Sequence, residues 1–542
     1  MPEHKAASRL RLSGLCFLLQ ILNILLFAAF VRYSPGSSSS LCSPQLNSPK
    51  QGYLGFRDVH LQVLLGFGLL VAFLGRYGPG SMAISILIVS FAIQWAILIQ
   101  GFLYFFLNGK IYVGARSMVS ADFCTAAVLI STGAVLGRVN PVQMLLLALL
   151  EVTLCTLNEY ILLSLMGVSD SGRSLTVHTF GAYFGLMVSR ILHQPHMDKR
   201  KREDQQNMGH QADVFAVVGT IYLWIFWPSF TSATSVHDNA EPWAVLNTYF
   251  SLVASTIATF ILSPVLYEES TPRMVQIQDA TLAGAAVMGM AGEMLVTPFG
   301  ALITGSSLCS SQPVLQSRLK IQDTCGVHNV HGLPGILGAL LGTLLTLLVT
   351  ADTYGDRLEL VFPLVAQGSR TAADQALLQL CALPLTLLLA TLGGCLTGEF
   401  CLWCDRVKGV RGRGIGGFGG GRKQEQPQSR ASPSDGTDRA QKCSALSKPA
   451  GARVTLEIGH PPWPGLPVRS GAPPGPCFPQ GRGSPRGGGC PWLPRCHSAL
   501  RNVAPLGAGT PPGPCSPRGR APARPGRSPR SRGPRCPARR CR

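Results

Sequence analysis

Two stretches decide how this sequence is read: Asp323-Thr-Cys-Gly-Val-His-Asn-Val-His-Gly-Leu-Pro-Gly335 and Ser174-Leu-Thr-Val-His-Thr-Phe-Gly-Ala-Tyr-Phe-Gly185. In the first, His331 stands eight residues after Asp323; in the second, His178 stands eight after Asp170. Glycines follow each histidine at helical spacing, Gly181 and Gly185 in one case and Gly335 and Gly338 in the other. An ionisable group inside an apolar helix of membrane length is costly and points to function. A single such histidine is more often an interhelical hydrogen-bonding group than a pore residue. Two at matched offsets, in two halves of one chain, point to a structural repeat whose halves meet at the bilayer midplane. The aspartates lie near helix starts and could simply cap them. His328 and His331, three apart, could share a metal with a third ligand, but the sequence offers no such ligand.

Working outward, both stretches sit among runs long enough to cross a bilayer, which takes about 20 mostly apolar residues. Candidate spans fall at roughly 11–31, 58–76, 82–106, 119–138, 141–165, 174–194, 213–232, 243–267, 276–296, 325–351 and 376–404. The first has a rival reading as a secretory signal. Its length, and Ala28-Ala29-Phe30 leading straight into Val31 and Arg32, favour a retained span. Loop charges orient the chain. Lys5, Arg9, Arg11, Arg76, Arg138, Lys199 to Arg202, Arg318, Lys320, Arg406 and Lys408 fall on one side only if the chain crosses twelve times. A twelfth element is therefore expected near 298–317, although only Phe299 to Thr304 is apolar there and serines, Gln312 and Pro313 interrupt it.

The formal net charge of +20 would ordinarily suggest a nucleic-acid partner. It is confined to the end of the chain. Residues 405–542 hold 26 basic and 5 acidic residues, whereas residues 1–404 are close to neutral. Charged residues are 14% of the whole, against roughly 25% in an ordinary soluble domain. The reading is an all-α polytopic membrane domain over 1–404 and a Pro/Gly/Arg-rich tail over 405–542, with no nucleic-acid role. Forty-nine of the last 138 residues are Pro or Gly, a composition that cannot bury a core and reads as disordered. Next to the last span, Lys408, Arg411 and Arg413 could meet anionic lipid of the inner leaflet. The plainer alternative is that the tail is translated sequence foreign to the body.

Other residues stand out singly. Glu159 lies near the outer end of its span, and Phe123 sits in Ala-Asp-Phe-Cys. The cluster Trp224-Ile-Phe-Trp-Pro-Ser-Phe230 reads first as an interfacial anchor or as packing. Glu293, within a span, needs a polar neighbour. Cys401 and Cys404 form a C-x-x-C with no second pair at zinc spacing, and Cys42 has no obvious loop partner. No phosphate-binding loop of the Walker type is present, which argues against a primary pump. No nucleophile stands beside a base, so an enzyme is not expected.

With these residues in view, the chain resembles the Rh glycoprotein branch of the ammonium transporter/Rh superfamily. The resemblance runs over roughly residues 8–400 and is carried by Ala121-Asp-Phe-Cys, Gly133-Ala-Val-Leu-Gly-Arg, Leu149-Leu-Glu-Val-Thr, Leu223-Trp-Ile-Phe-Trp-Pro-Ser-Phe, Met294-Leu-Val-Thr-Pro-Phe-Gly-Ala-Leu and the two histidine stretches. Tyr354-Gly-Asp through Val361-Phe-Pro-Leu-Val-Ala favours its type B group. The resemblance implies eleven core helices in two inverted repeats plus an extra first helix, and a homotrimer with one pore per subunit. It implies an ammonia/ammonium channel of the plasma membrane, basolateral in epithelial cells, with both termini cytoplasmic, no cofactor, and carbon dioxide as a second gas to test. His178 and His331 match the paired pore histidines, and Phe123 and Phe230 the two stacked rings of the outer gate. Asp170 and Asp323 match the acids that hold the pore helices, and Glu159 an outer-vestibule carboxylate that attracts cations. His328 does not match the pore pair.

The physics agrees with that expectation. A narrow apolar pore strips water, which disfavours ammonium and favours ammonia, and two imidazoles can donate to and accept from a neutral guest. Three departures stand beside it. Gly305-Ser-Ser-Leu-Cys-Ser-Ser-Gln-Pro shortens the family's ninth crossing, so a non-conducting structural subunit or a defective product is the rival expectation. Asn47-Ser48-Pro49 lacks a glycosylation sequon. The tail is not the acidic, aromatic one of the family, so the ankyrin binding of type B relatives is not expected here.

Overall fold

The structure, a computed structural model, describes residues 2–34, 49–67, 78–193, 210–235, 243–267, 272–307 and 321–407. The expectations for Cys42, the loop from Lys199 to Arg202, Arg318, Lys320 and the tail from residue 408 onward lie outside the described residues. Helices dominate because the spans are apolar on nearly every side, and a backbone in lipid must satisfy its own hydrogen bonds. In chain order these are α1 (Pro2–Phe30), α2 (Pro49–Leu61), which runs on as a π-helical turn Gln62–Phe67, α3 (Gly78–Tyr104), α4 (Ala115–Val135) and α5 (Pro141–Glu159), which runs on as a second π turn Tyr160–Leu165. A third π turn, Ser174–Thr179, leads into α6 (Phe180–Ile191). Then come α7 (His210–Ser232), α8 (Trp243–Tyr267), α9 (Met274–Ala286), the single turn α10 (Met288–Ala291) and α11 (Thr297–Ser307). A fourth π turn, His328–Gly332, leads into α12 (Leu333–Leu347). Three short turns, α13 (Ala351–Tyr354), α14 (Arg357–Val361) and α15 (Pro363–Ala366), precede α16 (Ala372–Val407).

Seven of the described helices are long and apolar enough to cross a bilayer, and each of the eleven expected stretches is helical over most of its described part. The expected element at 298–317 begins as α11, an 11-residue helix. At 1.5 Å per residue that is about 16 Å, roughly half the hydrocarbon thickness. It packs tightly on α8, since a Cβ at Gly305 would lie 2.9 Å from the Ser251 Cα.

One feature the sequence did not suggest is a small sheet between the end of α1 and the start of α4. In it β1 (Val31–Tyr33) runs parallel to β3 (Lys110–Val113), which pairs antiparallel with β2 (Phe106–Leu107). Ile111 lies opposite both Val31 and Phe106. The Lys110 ammonium donates to the Ala29 carbonyl at the end of α1, tying the first helix to this sheet.

Polarity is distributed inside out. Large apolar side chains such as Phe17, Leu18, Val265, Phe299 and Leu396 face outward, while Asp122, Glu151, Asp170, Arg173 and Asp323 are buried. A hydrocarbon surround stabilises that arrangement, since lipid-facing side chains gain nothing from turning inward. The buried polar groups pair across helices. Ser131 donates to Glu151, and Arg138 reaches Ser189 and Thr324, joining the end of α4 to the segment before the fourth π turn.

The expected span at 276–296 is broken after Ala286. The break has a visible cause. Ser174 Oγ donates to the Ala286 carbonyl (2.8 Å) and accepts from the Met290 amide (2.8 Å). Those are the two ends of one i→i−4 helical bond, so the hydroxyl is inserted into the ladder, a recognised origin of helix kinks.

A buried pair of histidines behind an aromatic constriction

Each histidine sits on a π turn opened by an aspartate. Asp170 Oδ2 accepts from the amides of Leu175 (3.1 Å) and Thr176 (2.9 Å) and from the Thr176 hydroxyl (3.0 Å). Asp323 Oδ1 accepts from the Val327 amide (2.9 Å) and Oδ2 from the His328 amide (2.9 Å). These are amides that a helix start leaves without intrahelical partners. Both acids therefore act geometrically as caps that fix the turn carrying a histidine.

The two turns meet. His178 and His331 are buried, their ring centroids 5.2 Å apart and their planes parallel within 2°. Among the described residues, neither ring nitrogen of His178 has a hydrogen-bond partner, and nor does Nδ1 of His331. A buried polar group left so costs about 1–3 kcal/mol, which a polar guest would recover. Room for the approach of the turns depends on glycine: a Cβ at Gly335 would lie 2.6 Å from the Ser174 carbonyl oxygen and 3.1 Å from the Thr179 amide.

Aromatic rings line the histidines. The His178 ring lies on Trp227 (5.8 Å, 20°) and near Phe230 (6.3 Å). His331 lies on Phe67 (6.0 Å, 25°). Phe67 in turn contacts Trp227 (5.8 Å) and Phe230 (6.4 Å). Phe123 meets Phe230 edge to face, with centroids 4.7 Å apart and planes at 90°. The resemblance implied stacked rings; the arrangement found is the T-shaped one, which the ring quadrupoles favour over a face-to-face sandwich.

Beyond Phe123 stands a charged pair. Arg173 Nη1 lies 2.7 Å from Glu159 Oε1, and the guanidinium carbon sits 5.0 Å from the Phe123 ring centroid. The Gln100 side-chain amide donates to Glu159 Oε2 (3.2 Å). The resemblance implied that Glu159 is an outer-vestibule carboxylate that attracts cations; here it is 6% exposed, with a partner at each oxygen. Arg173 has φ 70° and ψ 34°, the left-handed region, which costs a non-glycine residue about 1–2 kcal/mol.

His328 turns away from the pair. Its Nδ1 lies 3.4 Å from the Tyr183 hydroxyl, so His328 and His331 do not converge as a metal pair would. Cys401 and Cys404 are buried at the end of α16. Sequence reasoning missed Phe67 and Arg173 and took Trp227 for an anchor or packing. Trp227 and Phe230 are three apart on α7 and share a face, a spacing that could have shown both reaching one site. Nothing in the sequence marks the left-handed backbone of Arg173.

The Ammonium Transporter Family matches residues 22–404 of the chain. The ammonium transporter Rh type B of Oryctolagus cuniculus is 50% identical over 410 residues, covering 73% of this chain and 89% of that protein. The Rh type B-B protein of Xenopus laevis is 48% identical over 415 residues, covering 73% and 90%. Among solved structures, the Rh50 protein of Nitrosomonas europaea, described as one of the Rhesus family of channels, aligns with a TM-score of 0.53 at 31% identity, covering 65% of this chain and 88% of that one. Mep2 of Saccharomyces cerevisiae aligns with a TM-score of 0.55 at 15% identity, a likeness of fold.

Proposed function

As the chain belongs to the ammonium transporter family, we propose that it is an ammonia channel of the plasma membrane. Ammonium gives its proton to water on the outer side of the Phe123–Phe230 constriction, and ammonia passes between the imidazoles of His178 and His331. The observation that carries this reading is the parallel, buried histidine pair with unpartnered ring nitrogens behind the two phenyl rings. Dehydrating a cation in an apolar passage is far more costly than dehydrating a small neutral base, so a path of this kind favours the base. The imidazoles replace part of the lost water by donating to or accepting from the guest. Asp170 and Asp323 hold the two turns and do not touch the guest. Carbon dioxide, small and neutral, fits the same passage.

We assign residues 1–404 to the conducting domain and 405–542 to a Pro/Gly/Arg-rich cytoplasmic tail whose first basic residues meet anionic lipid. The assembly is a homotrimer with one pore per subunit, set in the basolateral membrane with the basic loops and both termini inside. Ankyrin is not a partner through this tail. The test is direct. Lipid vesicles containing the purified protein should change internal pH faster than protein-free vesicles when an ammonia gradient is imposed; equal rates sink the reading. The second reading is a non-conducting structural subunit. Gly305-Ser-Ser-Leu-Cys-Ser-Ser-Gln-Pro, which interrupts the apolar run that opens α11, favours it, and the same equal rates would be its signature.

A further inference from the structure

The strongest feature that the channel reading leaves unused is the pair Arg173–Glu159 at the outer side of the phenyl constriction. Three observations converge on it. First, the charges cancel: Nη1 of Arg173 lies 2.7 Å from Glu159 Oε1, and Gln100 occupies the other oxygen. Second, the guanidinium lies 5.0 Å from the Phe123 ring, within cation–π reach, and Phe123 is itself 4.7 Å from Phe230. The cation is thus built onto the constriction. Third, the arginine occupies a left-handed backbone position, φ 70°, where glycine is the unstrained choice. A strained residue kept beside a constriction directs attention to what its side chain does there. In the same turn Asp170 Oδ2 takes up the amides of Leu175 and Thr176, while the guanidinium of Arg173 makes its close contact with Glu159.

We propose that Arg173 is the charge filter of the outer mouth: it cancels Glu159 and covers the Phe123 ring, so that ammonia passes the constriction while ammonium goes no further than its outer side. The inference rests on the channel reading and names the residue that sets its selectivity. With Glu159 neutralised, the narrow, poorly hydrated mouth holds no net negative charge to offset the cost of dehydrating a cation. A neutral guest is almost unaffected. Without the guanidinium, Glu159 becomes a bare carboxylate facing the constriction, and the mouth attracts cations. Arg173 is a specificity-determining residue, and its removal should change which species passes more than how much ammonia passes.

The experiment compares two readouts on the full chain in vesicles: ammonia-driven pH change, and the electrical current carried by ammonium under an ammonium gradient. In Arg173→Gly the backbone conformation is retained without strain. The ratio of ammonium current to ammonia flux should rise about tenfold, as roughly 1.4 kcal/mol removed from the cation's barrier would give. Arg173→Lys keeps the charge and should hold the parental ratio. Arg173→Gly combined with Glu159→Gln removes both charges and should bring the ratio back toward the parent. If Arg173→Gly leaves the ratio unchanged while ammonia still flows, or if Arg173→Lys behaves like Arg173→Gly, the filter is overturned. A parent protein with no ammonia flux at all overturns the channel reading instead, and the filter with it.

Discussion

His178 and His331 each owe their position to a carboxylate eight residues earlier that takes up amides at the start of a π turn. This arrangement makes the aspartates structural supports whose loss should be felt as instability first. Asp170→Ala removes an acceptor shared by two amides and one hydroxyl and should cost about 2–3 kcal/mol, because buried donors are left unmade. Asp170→Asn keeps an acceptor oxygen and should cost less. Thermal unfolding in detergent checks the order: parent above Asn above Ala, with an unchanged melting temperature for Ala contradicting the capping role. At this scale the sequence was informative where chemistry repeats. Matched Asp–His offsets pointed to both histidines and both acids. It was silent on Phe67, which lies on a π turn 264 positions away from His331 in the chain and meets it only through the fold. It did not show Arg173 as the partner of Glu159, since a lone carboxylate and an arginine-paired one read identically until the fold is known.

Elements were legible to the extent that hydrophobicity decides them. Long apolar runs became helices near the expected positions because lipid leaves the backbone few alternatives. The exceptions are places where a side chain from elsewhere intervenes. The break between α9 and α10 requires the Ser174 hydroxyl, 112 positions from Ala286 in the chain, and no local signal announces it. The three-stranded sheet depends on pairing residues near 31 with residues near 111, a long-range match that short strands do not advertise. The contact of the two π turns yields its own prediction. Gly335→Val adds atoms where a single Cβ already lies 2.6 Å from the Ser174 carbonyl oxygen, and overpacking of this kind costs about 1–3 kcal/mol or more. The variant should give a lower melting temperature and less monodisperse protein, and Gly355→Ala offers a contrast, since no side chain or backbone lies within 4 Å of its Cβ position and its strain comes only from φ 52°. Equal stability for Gly335→Val and the parent would mean that the turns can separate freely.

The molecule as a whole divides its charge by region. The family match ends at residue 404, and the excess of basic residues begins at 405. A chain ended after Val407 should therefore conduct ammonia at the parental rate in vesicles, whereas a large loss would show that the tail supports the channel. The described part of α11 packs on α8 through Gly305 and Ser251. The +20 net charge of the chain thus says little about residues 1–404, which are near neutral and bury a small set of charged side chains. The central claim is that ammonia crosses between two imidazoles. The most direct measurement is the rate of ammonia-driven pH change in vesicles carrying the parent or His178→Ala/His331→Ala, at equal protein content. Loss of about one net hydrogen bond to a dehydrated guest, roughly 1–1.5 kcal/mol, predicts a flux near a tenth of the parent's. A double variant as fast as the parent would contradict the account.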